Sequence, residues 1–74
     1  MENFKLGIYK HFKGGLYRAF EVVTHSETRE QYVLYQRLYD NPEAMREVRP
    51  LAMWIEEVER DGKRMKRFEF VKTV

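Results

Sequence analysis

Residues 16–35 read LYRAFEVVTHSETREQYVLY. Two runs rich in aromatic and β-branched side chains flank the polar segment Ser26–Glu30, and such side chains fit a pleated strand better than a helix. Along Leu16–His25 a period of two places Leu16, Phe20 and Val22 on one face and Tyr17, Ala19, Val23 and His25 on the other. With Ser26–Glu30 as the turn, His25 opposes Gln31, Val23 opposes Val33 and Val22 opposes Leu34, which gathers Phe20, Val22 and Leu34 on one side. The opposite face, with Tyr17, Val23, Val33 and Tyr35, is apolar enough to need cover, as a curled sheet or small barrel supplies. A helix from Ser26 toward Tyr39 is the rival reading, with Leu34 and Leu38 at helical spacing. The density of Tyr, Val and Thr favours strand through Tyr35 and leaves Gln36–Tyr39 open between the two.

Upstream, the run Gly7–Phe12 is separated from Leu16 by Lys13-Gly14-Gly15. The Gly-Gly pair predicts a two-residue hairpin, with Phe12 opposite Tyr17 and Lys10 opposite Ala19. Residues 1–5 are expected to be loosely held. Downstream, Asp40-Asn41-Pro42-Glu43 predicts a break, Glu43–Glu47 one helical turn, and Pro50 the start of a short turn through Leu51, Ala52 and Met53. Asp61-Gly62 predicts a type I′ hairpin pairing Glu59 with Arg64, Glu57 with Lys66 and Glu56 with Arg67, and, nearer its base, Ile55 with Phe68 and Met53 with Phe70. Three acid–base pairs in one register resist a slip by one residue.

These segments amount to about five short strands without an internal repeat, the pattern of an all-β, small SH3-like antiparallel barrel with one short helical turn. At 74 residues the chain reads as one domain, 1–74, near the lower limit for an independent core. It has no cysteine, which excludes disulfides and thiolate metal sites and suits a reducing compartment. A hydrophobic fraction of 43% argues for a folded core rather than disorder. No apolar run reaches the ~20 residues that cross a bilayer, and the N-terminus has no secretion signal, so a cytoplasmic protein with no membrane partner is expected. The net charge of +2 comes from 14 basic against 12 acidic side chains, so only clustering would make a nucleic-acid footprint.

The ordered set Gly7-x-Tyr9-x-His11, Lys13-Gly14, Tyr17, His25-Ser26-Glu27-Thr28, Tyr35, Leu38-Tyr39, Val48-Arg49-Pro50-Leu51, Met53, Asp61-Gly62 and Arg67-Phe68 resembles the bacterial domain-of-unknown-function family DUF1653 over nearly the whole chain. The resemblance implies an SH3-like barrel in a bacterial protein and brings no activity, substrate or catalytic residue with it. Glu47 departs from the pattern, which has an aromatic residue just before the Val-Arg-Pro stretch.

His25, Ser26 and Glu27 invite a catalytic reading, but neighbours on an extended chain point to opposite sides, and the hydrogen bond that activates a serine does not form. Local turn chemistry by the Ser26 and Thr28 hydroxyls explains them better. His25 and Glu27, two apart, share a side. With only His11 as a second histidine they fall short of a metal site, so neither metal nor cofactor is expected. Arg60, Lys63, Arg64, Lys66 and Arg67 are offset by Glu56, Glu57 and Glu59 across their hairpin, while Lys10, His11, Lys13 and Arg18 form a second, smaller basic patch.

The best reading is a non-enzymatic module that recognises a protein segment or small ligand through Tyr17, His25, Glu27, Tyr35, Arg49 and Trp54, where aromatic faces and one fixed guanidinium hold a planar or anionic group. Trp54, between Met53 and Ile55, also reads as core. The alternative is a contact module for RNA or single-stranded DNA that uses the basic hairpins and exposed aromatics. An enzyme has the least support.

Overall fold

The computed structural model describes residues 4–39 and 45–74. Among these described residues seven strands, β1 (Gly7–His11), β2 (Leu16–Thr24), β3 (Gln31–Arg37), β4 (Glu47–Pro50), β5 (Glu57–Arg60), β6 (Lys63–Lys66) and β7 (Phe68–Lys72), accompany one four-residue helix, α1 (Leu51–Trp54). They form a five-stranded antiparallel sheet in the order β4-β3-β2-β1-β7, with β5 and β6 as a separate hairpin. The all-β expectation therefore holds. The anticipated strand number is that of the main sheet.

The opening stretch is a strand hairpin, and β3 continues to Arg37, so helix loses in both places it competed. Its register is one residue off the simple alternation. Thr24 pairs with Gln31, Val22 with Val33 and Glu21 with Leu34, whereas Ala19 pairs with Tyr35 and Tyr17 with Arg37. Phe20 is the unpaired residue of a β-bulge, and a bulge reverses the inward and outward faces of everything beyond it. Tyr17 and Ala19 before it and Val22 after it consequently all pack inward. Phe20, expected beside Val22 and Leu34, instead has the Arg18 and Arg46 guanidinium carbons 4.8 and 4.1 Å from its ring centre.

The β1–β2 register differs by more. Tyr9 faces Tyr17 and Lys10 faces Leu16, in place of Phe12 with Tyr17 and Lys10 with Ala19. Both glycines have positive φ, but the connection is a wider loop closed by the His11 N–H on Gly15 O at 3.0 Å and the Gly14 N–H on His11 O at 2.8 Å. Packing decides this: Tyr9 and Tyr17 are both core residues, and the Phe12 N–H is taken by Arg67 O at 3.0 Å.

The break at Asp40–Glu43 lies outside the described residues, as do positions 43 and 44 of the helical turn expected over 43–47; of the other three, Met45 and Arg46 form no helix. Glu47 itself opens β4. Pro50 closes that strand and α1 follows, as its sequence predicts. The Asp61-Gly62 turn has φ of 56° and 78° and fixes Glu59 opposite Arg64 and Glu57 opposite Lys66. Arg67 meets Glu56 at 3.6 Å. The Ile55–Phe68 and Met53–Phe70 pairs do not form. Ile55 caps α1, while Phe68 and Phe70 pair with His11 and Tyr9 in β1. The Glu57 carboxylate, moreover, reaches diagonally to Arg64 at 3.1 Å and not across to Lys66.

Tyr9, Tyr17, Ala19, Val33, Tyr35, Leu51, Trp54 and Phe68 form the core. Trp54, 1% exposed, stacks on Phe68 at 3.8 Å and packs against Tyr9 and Tyr35 at 5.4 and 5.3 Å. One side chain from α1 thereby joins β1, β3 and β7. The sheet curls until Arg49 on β4 lies over Phe68 on β7, although these are opposite edges in strand order. Phe4, ahead of β1, stacks on Tyr9 at 5.7 Å.

Candidate functional site

Where the two sheet edges approach, β4 contributes a guanidinium to a layer of rings. Val33 and Tyr35 on β3 are buried, and their partners on β4 are Arg49 and Glu47. Cross-strand partners point to the same face of a sheet, so Arg49 and Glu47 are directed inward at the edge. The Arg49 guanidinium carbon is 5.4 Å from the Tyr35 ring centre and 5.3 Å from that of Phe68. Its Nη2 donates to Tyr35 Oη at 3.4 Å, and Tyr35 Oη donates to Glu47 Oε1 at 3.3 Å. No carboxylate is in ion-pair contact with Arg49 among the described residues.

Rings continue from there. Tyr17 lies 5.6 Å from Tyr35 and 5.3 Å from Phe68, and His11 sits edge-on to Phe68 at 4.9 Å. Tyr17 Oη and Tyr39 Oη share a hydrogen bond of 2.9 Å. The Tyr39 ring in turn rests on Gly15, where an added Cβ would be 2.7 Å from Tyr39 Cε1, so only glycine allows this approach. His11, Lys13, Gly14, Gly15, Tyr17 and Tyr39 line a hollow of about 410 Å³.

The electrostatics follow from this crowding. Burial lowers the His11 pKa, and Arg49, Arg67 and Lys13 lower it further by repelling a second positive charge. Burial and the hydrogen bond to Tyr39 push the Tyr17 phenol up to about 12, with Arg49 pulling weakly the other way. Because the folded value exceeds the ordinary 10.0, the stability contributed by neutral Tyr17 is complete below pH 10.0 and is lost as pH rises toward about 12. In an alkaline spectrophotometric titration Tyr17 is expected to ionise well above 10.0, at about 12, and Tyr39→Phe to bring it closer to its ordinary value. Five tyrosines ionising together near pH 10.0 would contradict this.

Of the residues singled out in the sequence, Tyr17, Tyr35, Arg49 and Trp54 come together. His25 and Glu27 do not. His25 Nδ1 accepts the Glu27 and Thr28 N–H groups at 3.1 and 3.3 Å, and Thr28 Oγ1 accepts the Glu30 N–H at 3.2 Å, so this segment is occupied with its own turn. His25 lies beyond the far end of β2, ~20 Å along the strand from the Ala19–Tyr35 pair. Unbroken alternation puts Tyr35 and His25 on one face, and the Phe20 bulge interrupts it. His11, Tyr39, Glu47 and Phe68 complete the cluster and were not among the candidates. The period-two spacing of Tyr9 and His11 held a usable signal. Nothing local marked Tyr39, which lies outside any strand. Among the described residues no three His, Asp or Glu side chains gather as metal ligands, and no helix is long and apolar enough to cross a membrane.

The model of the family described as "Protein of unknown function (DUF1653)" matches residues 7–70, a span that contains every member of this cluster. The chain belongs to the DUF1653 family. Its fold is similar to the crystal structure of a DUF1653 protein from Bordetella bronchiseptica, with a TM-score of 0.90 and 35% identity over 100% of this chain and 95% of that one. No curated protein matches it. Family membership thus accounts for the fold and leaves the chemistry of the DUF1653 site to be argued from its residues.

Proposed function

We propose that this DUF1653 protein is a non-enzymatic, SH3-like binding module of the cytoplasm that takes a small ligand or protein segment by an anionic group, a carboxylate or phosphate, seated on Arg49. The observation that carries the reading is a half-buried guanidinium held against two rings, with one phenol oxygen as acceptor and no carboxylate partner among the described residues. A guanidinium has five N–H donors in a planar fork, and a carboxylate or phosphate matches that fork with two parallel bonds. Removing a charge from water without a partner is costly, so an incoming anion gains what the protein leaves unmatched. Glu47 is engaged with the Tyr35 hydroxyl, and Tyr35 and Phe68 fix the plane of the fork. Arg67 and Lys13 add to the positive field, the same field that lowers the His11 pKa. The absence of cysteine supports a reducing compartment. The described cluster members include no serine, threonine or cysteine to be activated by a base, and the Tyr35 hydroxyl beside Glu47 is held between that carboxylate and Arg49, which supports binding over catalysis.

In an NMR titration with acetate and then inorganic phosphate, the amides of Tyr35, Arg49, Tyr17 and Gly15 are expected to shift. Arg49→Ala should abolish the response while preserving the rest of the spectrum. Equal responses from both proteins would refute the assignment.

A further inference from the structure

The hollow beside Tyr17 is one of three that adjoin. His11 lines it and also a second, of about 450 Å³, with Lys10, Phe12, Met65, Lys66 and Glu69. Lys66 lines that one and a third of about 290 Å³, whose walls include Phe4, Lys5, Trp54 and Phe70. Lys5, Lys10, Lys13 and Lys66 therefore border a row of three hollows linked in turn by His11 and Lys66, against one carboxylate among their described lining residues, Glu69, which faces Lys10 across the β1–β7 pair.

Cations and rings alternate along it. Lys5 Nζ lies 5.2 Å from the Phe70 ring centre, Lys13 Nζ 5.7 Å from that of Phe12, and the Arg60 guanidinium carbon 6.0 Å from the same ring. Phe4, Phe12 and Phe70 are only partly buried, which leaves ring surface for a ligand. The hairpin register implies that Glu57 neutralises Lys66, but Glu57 turns to Arg64. Lys66 is left without a carboxylate among the described residues at the point shared by two of the hollows.

We infer that this row of hollows is an interface for single-stranded nucleic acid, with phosphates on Lys5, Lys10, Lys13 and Lys66 and bases against Phe12 and Phe70. Ammonium groups alone would suit any polyanion; partly exposed rings between them suit one whose anionic groups are interleaved with flat faces. A duplex hides those faces in its own stack, whereas a single strand offers them. Lys5 and Lys13 flank β1, ~20 Å apart or more at the rise of a strand, a span comparable with the ~4 nucleotides at the lower end of single-strand sites on small β-domains. The inference does not rest on Arg49, which lines none of the three hollows.

Fluorescence anisotropy with a labelled oligothymidylate of about 12 nucleotides tests it, with salt raised from about 50 to about 200 mM. Four lysine–phosphate contacts predict that log affinity falls against log salt with a slope of about −2 to −3. Lys66→Gln, a surface change, should reduce that slope by about 0.7 with an unaltered melting curve, and Phe12→Ala should weaken binding about fivefold or more at constant slope. No binding at the lowest salt would overturn the inference. So would polyglutamate binding as tightly as the oligonucleotide, which would assign the row to acidic proteins, or a slope that Lys66→Gln leaves unchanged.

Discussion

Trp54→Ala is expected to cost about 3–5 kcal/mol, because it removes the side chain on which three strands and the helix meet. The indole is 1% exposed, stacks on Phe68 at 3.8 Å and touches Tyr9 and Tyr35. Domains of this kind are stable by about 5–15 kcal/mol, and one of 74 residues with no disulfide lies toward the lower end. The alanine variant should therefore be largely unfolded or close to it, visible as a collapse of the urea midpoint. Trp54→Phe should cost much less. It keeps a ring against Phe68 and removes the indole Nε1, a buried donor without an acceptor among the described residues. A loss below about 1 kcal/mol for Trp54→Ala would show that α1 does not hold the curled sheet together.

Gly7→Ala should be the second most damaging change, at about 2–3 kcal/mol. Gly7 has φ of +145°, a conformation L side chains rarely adopt, and a Cβ there would collide with the backbone oxygen of Lys72 and stand 3.0 Å from Thr73 Cα. Neither obstacle is a side chain that could swing away. The site lies beside the register shift between Ile8 and Tyr9, where β1 accommodates β7. The damage should consequently begin locally. Hydrogen exchange is expected to show protection lost first in the β1–β7 amides, with the β5–β6 hairpin retained. Uniform loss across both sheets would mean that this close approach is not the weak point.

The features of the fold carried by local chemistry could be read directly. Asp61-Gly62 fixes its hairpin because the turn needs two residues of positive φ, and Pro50 starts α1 because its own φ suits a helix entry. The polar joint Ser26–Glu30 was equally legible. What escaped was long-range. A bulge at Phe20 is a response to the curvature that lets Tyr17, Ala19 and Val22 all face the core, and no property of Phe20 itself announces it. The β1–β2 loop widened for the same reason, to stack Tyr9 beside Tyr17. Tyr35 and Arg49 were accessible as site candidates because Pro50 and the strand pattern place them. Tyr39 and Phe68 enter the cluster only through sheet curling, and His25 left it once the bulge broke the alternation.

The claim that an anion completes Arg49 is tested most directly at His11, whose pKa is lowered by burial and by Arg49, Arg67 and Lys13. The imidazole can be titrated by NMR with and without acetate or phosphate. An anion on Arg49 screens the repulsion, so the His11 pKa should rise on binding, and Arg49→Ala should raise it without ligand and leave no further response. A His11 titration that neither anion shifts, in a protein whose Arg49→Ala variant behaves identically, would contradict the proposal.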